Sequence, residues 1–186
     1  MDWVQKSMTQ HEYIFITVSI ILGLAITRLL HTVAMLIRAQ RHVVFHWSTA
    51  LWALCVMVYI LQLWWVGWGL RDVPAWTFAS FVVLVLGSIF IYGAAEMALP
   101  VPESDDLDML KHSQKLGRLS AVSMLAYFLV GPYVNLTMYD YPILPVLVLP
   151  GVGMALMLGV ILMPLRFPLL TVLFSIYSAV VVALTI

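Results

Sequence analysis

Arg28, His31 and Glu96 are ionisable side chains set inside long apolar stretches, and their types and spacing suit an internal ion pair or a proton path. A guanidinium at the centre of a lipid-spanning helix costs at least about 2.5–3.5 kcal/mol, so Arg28 needs a partner, water or a route to headgroups. His31 follows it by one helical turn and shares its face. Glu96 lies near the end of the third apolar stretch, at a depth comparable with that pair. Arg28, His31 and Glu96 are therefore candidates for a gate or an ion path. The plainer alternative is an internal pair that fixes helix register.

Three further groups of residues carry chemistry of other kinds. Polar and small residues recur at helical spacing: Ser19, Gly23, Thr27 and His31, then Ser120, Ser123, Tyr127, Gly131 and Asn135, then Thr171, Ser175 and Ser178. Gly151, Ala155 and Gly159 form a small-xxx-small series. In lipid such faces serve mostly as packing seams, because small residues let backbones approach closely. Read functionally, Ser19, Thr27, Ser123, Tyr127 and Asn135 line a pore or cavity, with Gly131-Pro132 kinking one helix and freeing carbonyls beside Asn135.

Basic residues form the second group: Arg38, Arg41, Lys111, Lys115 and Arg118, with His42 among them. They set orientation and touch anionic lipid heads, each worth about 1 kcal/mol near a membrane surface. Across several subunits they can also meet a small anionic ligand, although no glycine-rich phosphate loop accompanies them. The third group is histidine. His42 and His46 are four apart and would share a helix face, with His112 nearby. No HExxH and no paired cysteines join them, so neither metal nor cofactor is predicted. Trp47 and Trp52 read as packing and interface anchors. No GxSxG string and no pair of intramembrane aspartates is present, and Asp72 and Asp140 stand alone in loops, so an enzyme is not expected.

The elements that must hold these groups follow from composition. The chain is 63% hydrophobic and 10% charged, where soluble domains carry about a quarter charged residues. About 20 apolar residues in a helix cross the roughly 30 Å hydrocarbon layer. The pattern predicts an all-α polytopic membrane helix bundle with six transmembrane helices, at about 13–38, 44–70, 76–99, 119–139, 142–163 and 167–186. For the last two, a re-entrant hairpin is the alternative. Residues 1–186 read as one transmembrane domain, with 101–118 as a cytoplasmic amphipathic loop or helix. Glu103-Ser-Asp-Asp-Leu-Asp would supply acceptors and negative charge to that helix's start.

Six basic residues (Arg38, Arg41, Lys111, Lys115, Arg118 and Arg166) fall on one side against Lys6 and Arg71 on the other. That places both termini outside. Trp64, Trp65, Trp68 and Trp76 then form an outer aromatic belt. The first twelve residues lack the pattern of a secretory signal, so the first helix is expected to serve as its own insertion signal. Cys55 is the one cysteine, which excludes an intrachain disulfide. The formal net charge of zero removes any whole-protein electrostatic case for duplex nucleic acid as a partner.

The string Ser19-Ile-Ile-Leu-Gly-Leu-Ala-Ile-Thr-Arg-Leu-Leu, followed by Arg38-Ala-Gln-Arg, Gln62-Leu-Trp-Trp-Val-Gly-Trp and Gly69-Leu-Arg-Asp-Val-Pro-Ala-Trp-Thr-Phe, resembles a group of small, uncharacterised bacterial multi-pass (six-helix) membrane proteins. The likeness covers roughly residues 11–118, and the tryptophan pair and Trp-Thr-Phe are its more specific parts. Where that group carries a double arginine after the acidic loop, this chain reads His112-Ser-Gln-Lys-Leu-Gly-Arg. The resemblance implies the membrane architecture and a bacterial inner membrane, and no chemistry.

The leading functional expectation is an oligomeric ion channel or pore-type effector, ligand-gated through the basic loops, with copies of the chain enclosing the polar stripes. Bacterial effectors that depolarise the membrane in phage defence share that architecture, which is analogy alone. The alternatives are a small transporter or binding protein with a pocket between helices 1, 3 and 4, and a structural membrane subunit.

Overall fold

A helix that is apolar on every face closes all its backbone hydrogen bonds internally and leaves only hydrocarbon outside, the condition for living in lipid. The computed structural model describes residues 8–73, 76–102, 107–138 and 143–185. Among them the architecture is all-α, with a single two-stranded pairing of two residues each. The helices are α1 Gln10–Arg38, α2 Trp47–Gly69, α3 Phe78–Glu96, α4 Met109–Lys115, α5 Gly117–Phe128, α6 Val130–Met138, α7 Ile143–Leu162 and α8 Phe167–Thr185. Five stretches among the described residues are long and apolar enough to cross a membrane, namely Gln10–Arg38, Trp47–Asp72, Phe78–Glu96, Gly117–Thr137 and Pro164–Leu184. Val146–Leu162, within α7, is a shorter apolar stretch. These helices are compatible with an integral membrane protein.

Local chemistry sets where the helices start and stop. Thr9 and Glu12 form a capping box, so α1 begins at Gln10, a turn before the expected 13. The second helix starts at Trp47 and not at 44, because Val43 and Val44 instead pair in parallel with Leu107 and Asp108. His46 caps α2, its ring nitrogen accepting from the Ser48 amide. His42 and His46 therefore do not share a helix face: one ends a 3-10 turn, Gln40–His42, and extended backbone separates it from the other. Thr77 caps α3, which ends at Glu96, short of the expected 99.

The expected fourth helix is two, α5 and α6, parted at Leu129. Pro132 causes this, since it has no N–H for the carbonyl of Phe128 four residues earlier. In the polar loop, Asp108 caps α4 by accepting from the Leu110 and Lys111 amides. The acidic run 103–106, the break at 139–142, Pro74 and Lys6 lie outside the described residues.

α1, α3, the α5–α6 pair and α7 lie side by side in that order, and α2 and α8 pack on each other against them. In lipid there is no hydrophobic drive between helices, so close van der Waals fit and hydrogen bonds hold them. Gly87 faces Val130, and Gly93 faces the Ser123 hydroxyl. On α7 the tight approach is at Gly153, where a Cβ would stand 2.8 Å from the Tyr177 hydroxyl and 3.0 Å from the Phe128 ring; a Cβ at Gly151 would meet nothing within 4 Å.

Trp52 is fully buried, and its Nε1 donates to Ser120 Oγ at 2.9 Å. Ser120 in turn donates to the Ala94 carbonyl, so one chain of bonds ties α2, α5 and α3. Thr171, Ser175 and Ser178 donate to carbonyls of their own helix, and the Ser178 hydroxyl also faces Cys55 and Tyr59 of α2.

The two ends differ in chemistry. Arg38, Arg41, Lys111, Lys115, Arg118 and Arg166 are exposed and share one end, where Val43–Val44 pairs with Leu107–Asp108 and α4 packs against the 164–166 turn. Trp64, Trp65 and Trp68 are exposed at the other.

Candidate functional site

The half of the bundle nearer Leu70 and Leu184 holds a half-open cavity of about 580 Å³, walled by α2, α3, α5, α6, α7 and α8 and lined in part by the exposed Val66 and Leu184. Its apolar lining is interrupted by Tyr59, Gln62, Tyr127, Asn135 and Tyr177, and no charged residue contributes to it. Three tyrosines meet here for a geometric reason. Tyr59, Tyr127 and Tyr177 lie 12, 10 and 10 residues into α2, α5 and α8, helices that all leave the basic end, so each sits about 15–18 Å along its axis. Their rings pack with Phe128 and Phe174 in one aromatic cluster, Tyr59 stacked on Phe174 at 5.5 Å and edge-on to Phe128 at 5.2 Å.

The polar atoms of the cavity are not all satisfied. Tyr177 donates to the Leu149 carbonyl at 2.8 Å. The Tyr59 hydroxyl is buried, its residue 2% exposed, and the Tyr177 and Ser178 hydroxyls lie close enough to interact with it, although neither contact meets full hydrogen-bond geometry. Pro132 and Pro150 each lack an amide for the residue four before, and those residues, Phe128 and Val146, both line the cavity. A buried unpaired hydroxyl costs about 1–3 kcal/mol. The wall thus offers the incompletely bonded Tyr59 hydroxyl and two carboxamides, Gln62 and Asn135, around a space with no charged residue in its lining.

The expected charged cluster is assembled in part. Arg28 Nε lies 2.7 Å from Glu96 Oε2, with the side chains 30% and 38% exposed. That nitrogen is buried and has no hydrogen bond of acceptable angle, so Coulomb attraction and not a linear N–H···O contact holds the pair. His31 is exposed and joins no hydrogen bond or ion pair. Thr27 is exposed and donates to the Gly23 carbonyl of its own helix. Ser19 is half-buried on α1, and Ser123 is half-buried against Gly93. Of the five residues expected to line a pore or cavity, Tyr127 and Asn135 line this one, and Ser19, Thr27 and Ser123 do not. No part of α1 lines it, so the site lies away from the expected pocket between helices 1, 3 and 4.

At the basic end, Lys111 pairs with Asp108 at 3.6 Å. The amide of Lys111 holds the Asp108 carboxyl below its ordinary range. Burial of His112 disfavours its charged form and lowers its pKa, opposed in part by the backbone of Met97. Arg38, Arg41, Lys115 and Arg118 have no carboxylate within ion-pair distance among the described residues. No group of three His, Cys, Asp or Glu comes together among those residues either.

Comparison with family models, curated proteins and solved structures finds no match. The site is therefore argued from its own chemistry. Sequence reasoning missed Tyr59, Gln62, Tyr177 and Pro150. The signal that could have found them is a tyrosine at similar depth in three spans rising from one end, together with two prolines inside apolar spans.

Proposed function

We propose that this chain is a six-span protein of the bacterial inner membrane that binds a neutral, largely apolar small molecule in its central cavity, as a small transporter or binding protein does. In this reading α7 completes the sixth crossing, the basic end faces the cytoplasm and both termini face outward. The incompletely satisfied Tyr59 hydroxyl, in a wall with no charged residue, carries the proposal. A ligand acceptor can complete its bonding, and an ion entering the same apolar space would find no countercharge. The break at Leu129 and the proline in α7 supply hinge positions on two walls, which supports alternating access to the cavity.

The test uses the protein in lipid nanodiscs with three naphthalenes of like size: neutral 2-naphthol, anionic naphthalene-2-sulfonate and a cationic naphthylmethylammonium. Ligand at about 100 times its Kd stabilises the folded state by about 2.7 kcal/mol. 2-Naphthol is expected to raise Tm and the two ions are not. Gly131→Phe should abolish the shift, because a Cβ there meets nothing within 4 Å and the ring can enter the cavity without a clash. Equal shifts from all three compounds, or an undiminished shift in Gly131→Phe, would refute the reading.

A second reading, assembly of copies into an ion channel, is favoured by one observation. Thr27 and His31 are exposed beside an ion pair that is itself one-third exposed, and in lipid a second copy would cover that face. Purified protein that gives no ion flux in liposomes removes it.

A further inference from the structure

A second hollow, of about 720 Å³, runs along the outside of the bundle between α1 and α2 at the basic end. Its walls run from Leu29 to Ile37 on α1 and include Ala50 and Met57 on α2, with Met109 also lining it. Gln40 is its one polar lining residue. Eight residues from Leu29 to Ile37 make about 12 Å, close to the roughly 15 Å depth of one leaflet's hydrocarbon. The volume falls in the range of about 300–1,000 Å³ in which proteins hold small ligands.

The groove ends where two guanidiniums begin. Arg38 closes α1, and Arg41 follows the groove residue Gln40. Both are exposed, and neither has a carboxylate within ion-pair distance among the described residues. The 3-10 turn Gln40–His42 and the pairing of Val43 with Leu107 fix the arm that carries Arg41. Its position is thus set before any ligand arrives. An apolar slot one leaflet deep under two cations with no carboxylate partner among the described residues has the chemistry to receive an anionic amphiphile. A second copy would bring its own basic end against these arginines, like charge on like.

We propose that this groove holds an acyl chain of an anionic phospholipid, with the phosphate seated on Arg38 and Arg41. The site is separate from the central cavity and stands without it. Each basic group near the surface adds about 1 kcal/mol, a factor of about 5, so the pair sets a preference of roughly 30-fold for an anionic over a zwitterionic head.

Native mass spectrometry of the full chain in mixed micelles with equal dioleoyl phosphatidylglycerol and dioleoyl phosphatidylcholine reads that ratio directly. Arg38→Gln with Arg41→Gln should bring phosphatidylglycerol down to the phosphatidylcholine level. Arg166→Gln, which removes an exposed charge at the same end, should leave the preference intact. Ala50→Phe, which fills the slot, should reduce retention of both lipids. The proposal is overturned by equal retention of the two lipids in the unaltered protein, a result that needs no variant to fold. It is also overturned by full retention in Ala50→Phe, by an equal loss in Arg166→Gln, or by displacement of the lipid by millimolar inorganic phosphate.

Discussion

Replacing Tyr59 by Phe should make the empty protein more stable, the reverse of what most core substitutions do. The ring is retained, still stacked on Phe174 and edge-on to Phe128, and only the incompletely bonded hydroxyl is removed. An unsatisfied buried hydroxyl costs about 1–3 kcal/mol, so its removal should return about that much. For a chain of this length 1 kcal/mol corresponds to about 2–4 °C, giving a rise in Tm of roughly 2–12 °C.

Tyr177→Phe provides the contrast, because that hydroxyl donates to the Leu149 carbonyl at 2.8 Å. Polar contacts between helices in lipid average about 0.6 kcal/mol and reach about 1.7, so Tyr177→Phe should lower Tm by roughly 1–7 °C. Thermal unfolding followed by the fluorescence of the seven tryptophans reads both. A second assay ties the hydroxyl to function: Tyr59→Phe should also lose the 2-naphthol shift. A fall in Tm for Tyr59→Phe as large as that for Tyr177→Phe would refute the reasoning. It would mean that Tyr59 is satisfied by Tyr177 or Ser178 and has no donor to offer a ligand.

Glu96→Gln leaves the Arg28 guanidinium without its countercharge and should destabilise the protein, while Arg28→Met added to it should recover much of the loss. A double-mutant cycle on the pair is expected to give a coupling of about 0.5–3 kcal/mol, and strict additivity would show that the two groups do not interact. Trp52→Phe breaks the bond to Ser120 and opens space in the centre of the bundle, and should cost about 1–3 kcal/mol in chemical unfolding; an unchanged midpoint would contradict the tie between α2 and α5. The lowered pKa of His112 means that the unfolded chain binds its proton first. Stability from this group is present above its ordinary pKa of 6.5 and is lost as pH falls from there toward the folded value. Hydrogen-exchange protection in 109–115, corrected for the intrinsic pH dependence of amide exchange, should therefore fall between pH 7 and pH 5 in the native chain and not in His112→Phe.

The membrane-compatible helices were legible in the residues themselves, because a run of apolar side chains has one stable use when 10% of the chain is charged. The neighbourhood of Arg28 and Glu96 was legible too: each charge needed a partner, and two helices entering from the same end put them at similar depth. His31, one turn along α1 from Arg28, is exposed and takes no part in the pair. The caps at Thr9, His46 and Thr77 moved the predicted ends by a turn or less, since capping is decided by a single side-chain oxygen or nitrogen that periodicity does not register.

What only the tertiary structure decided is which faces meet. Helices that are apolar all round carry no stripe to mark an inner side, so sequence could not say that α2 and α8 close over α3, α5, α6 and α7. Tyr59, Tyr127 and Tyr177 lie in three separate spans, and packing alone turned them toward one space. Gly153 is the close approach on α7 because Tyr177 and Phe128 happen to face it. Gly151 looks the same in sequence and faces open room, while a Cβ at Gly159 of the same series would meet Leu170 at 3.2 Å. Composition selected the medium; the fit of side chains across helices, which no single helix encodes, selected the cavity.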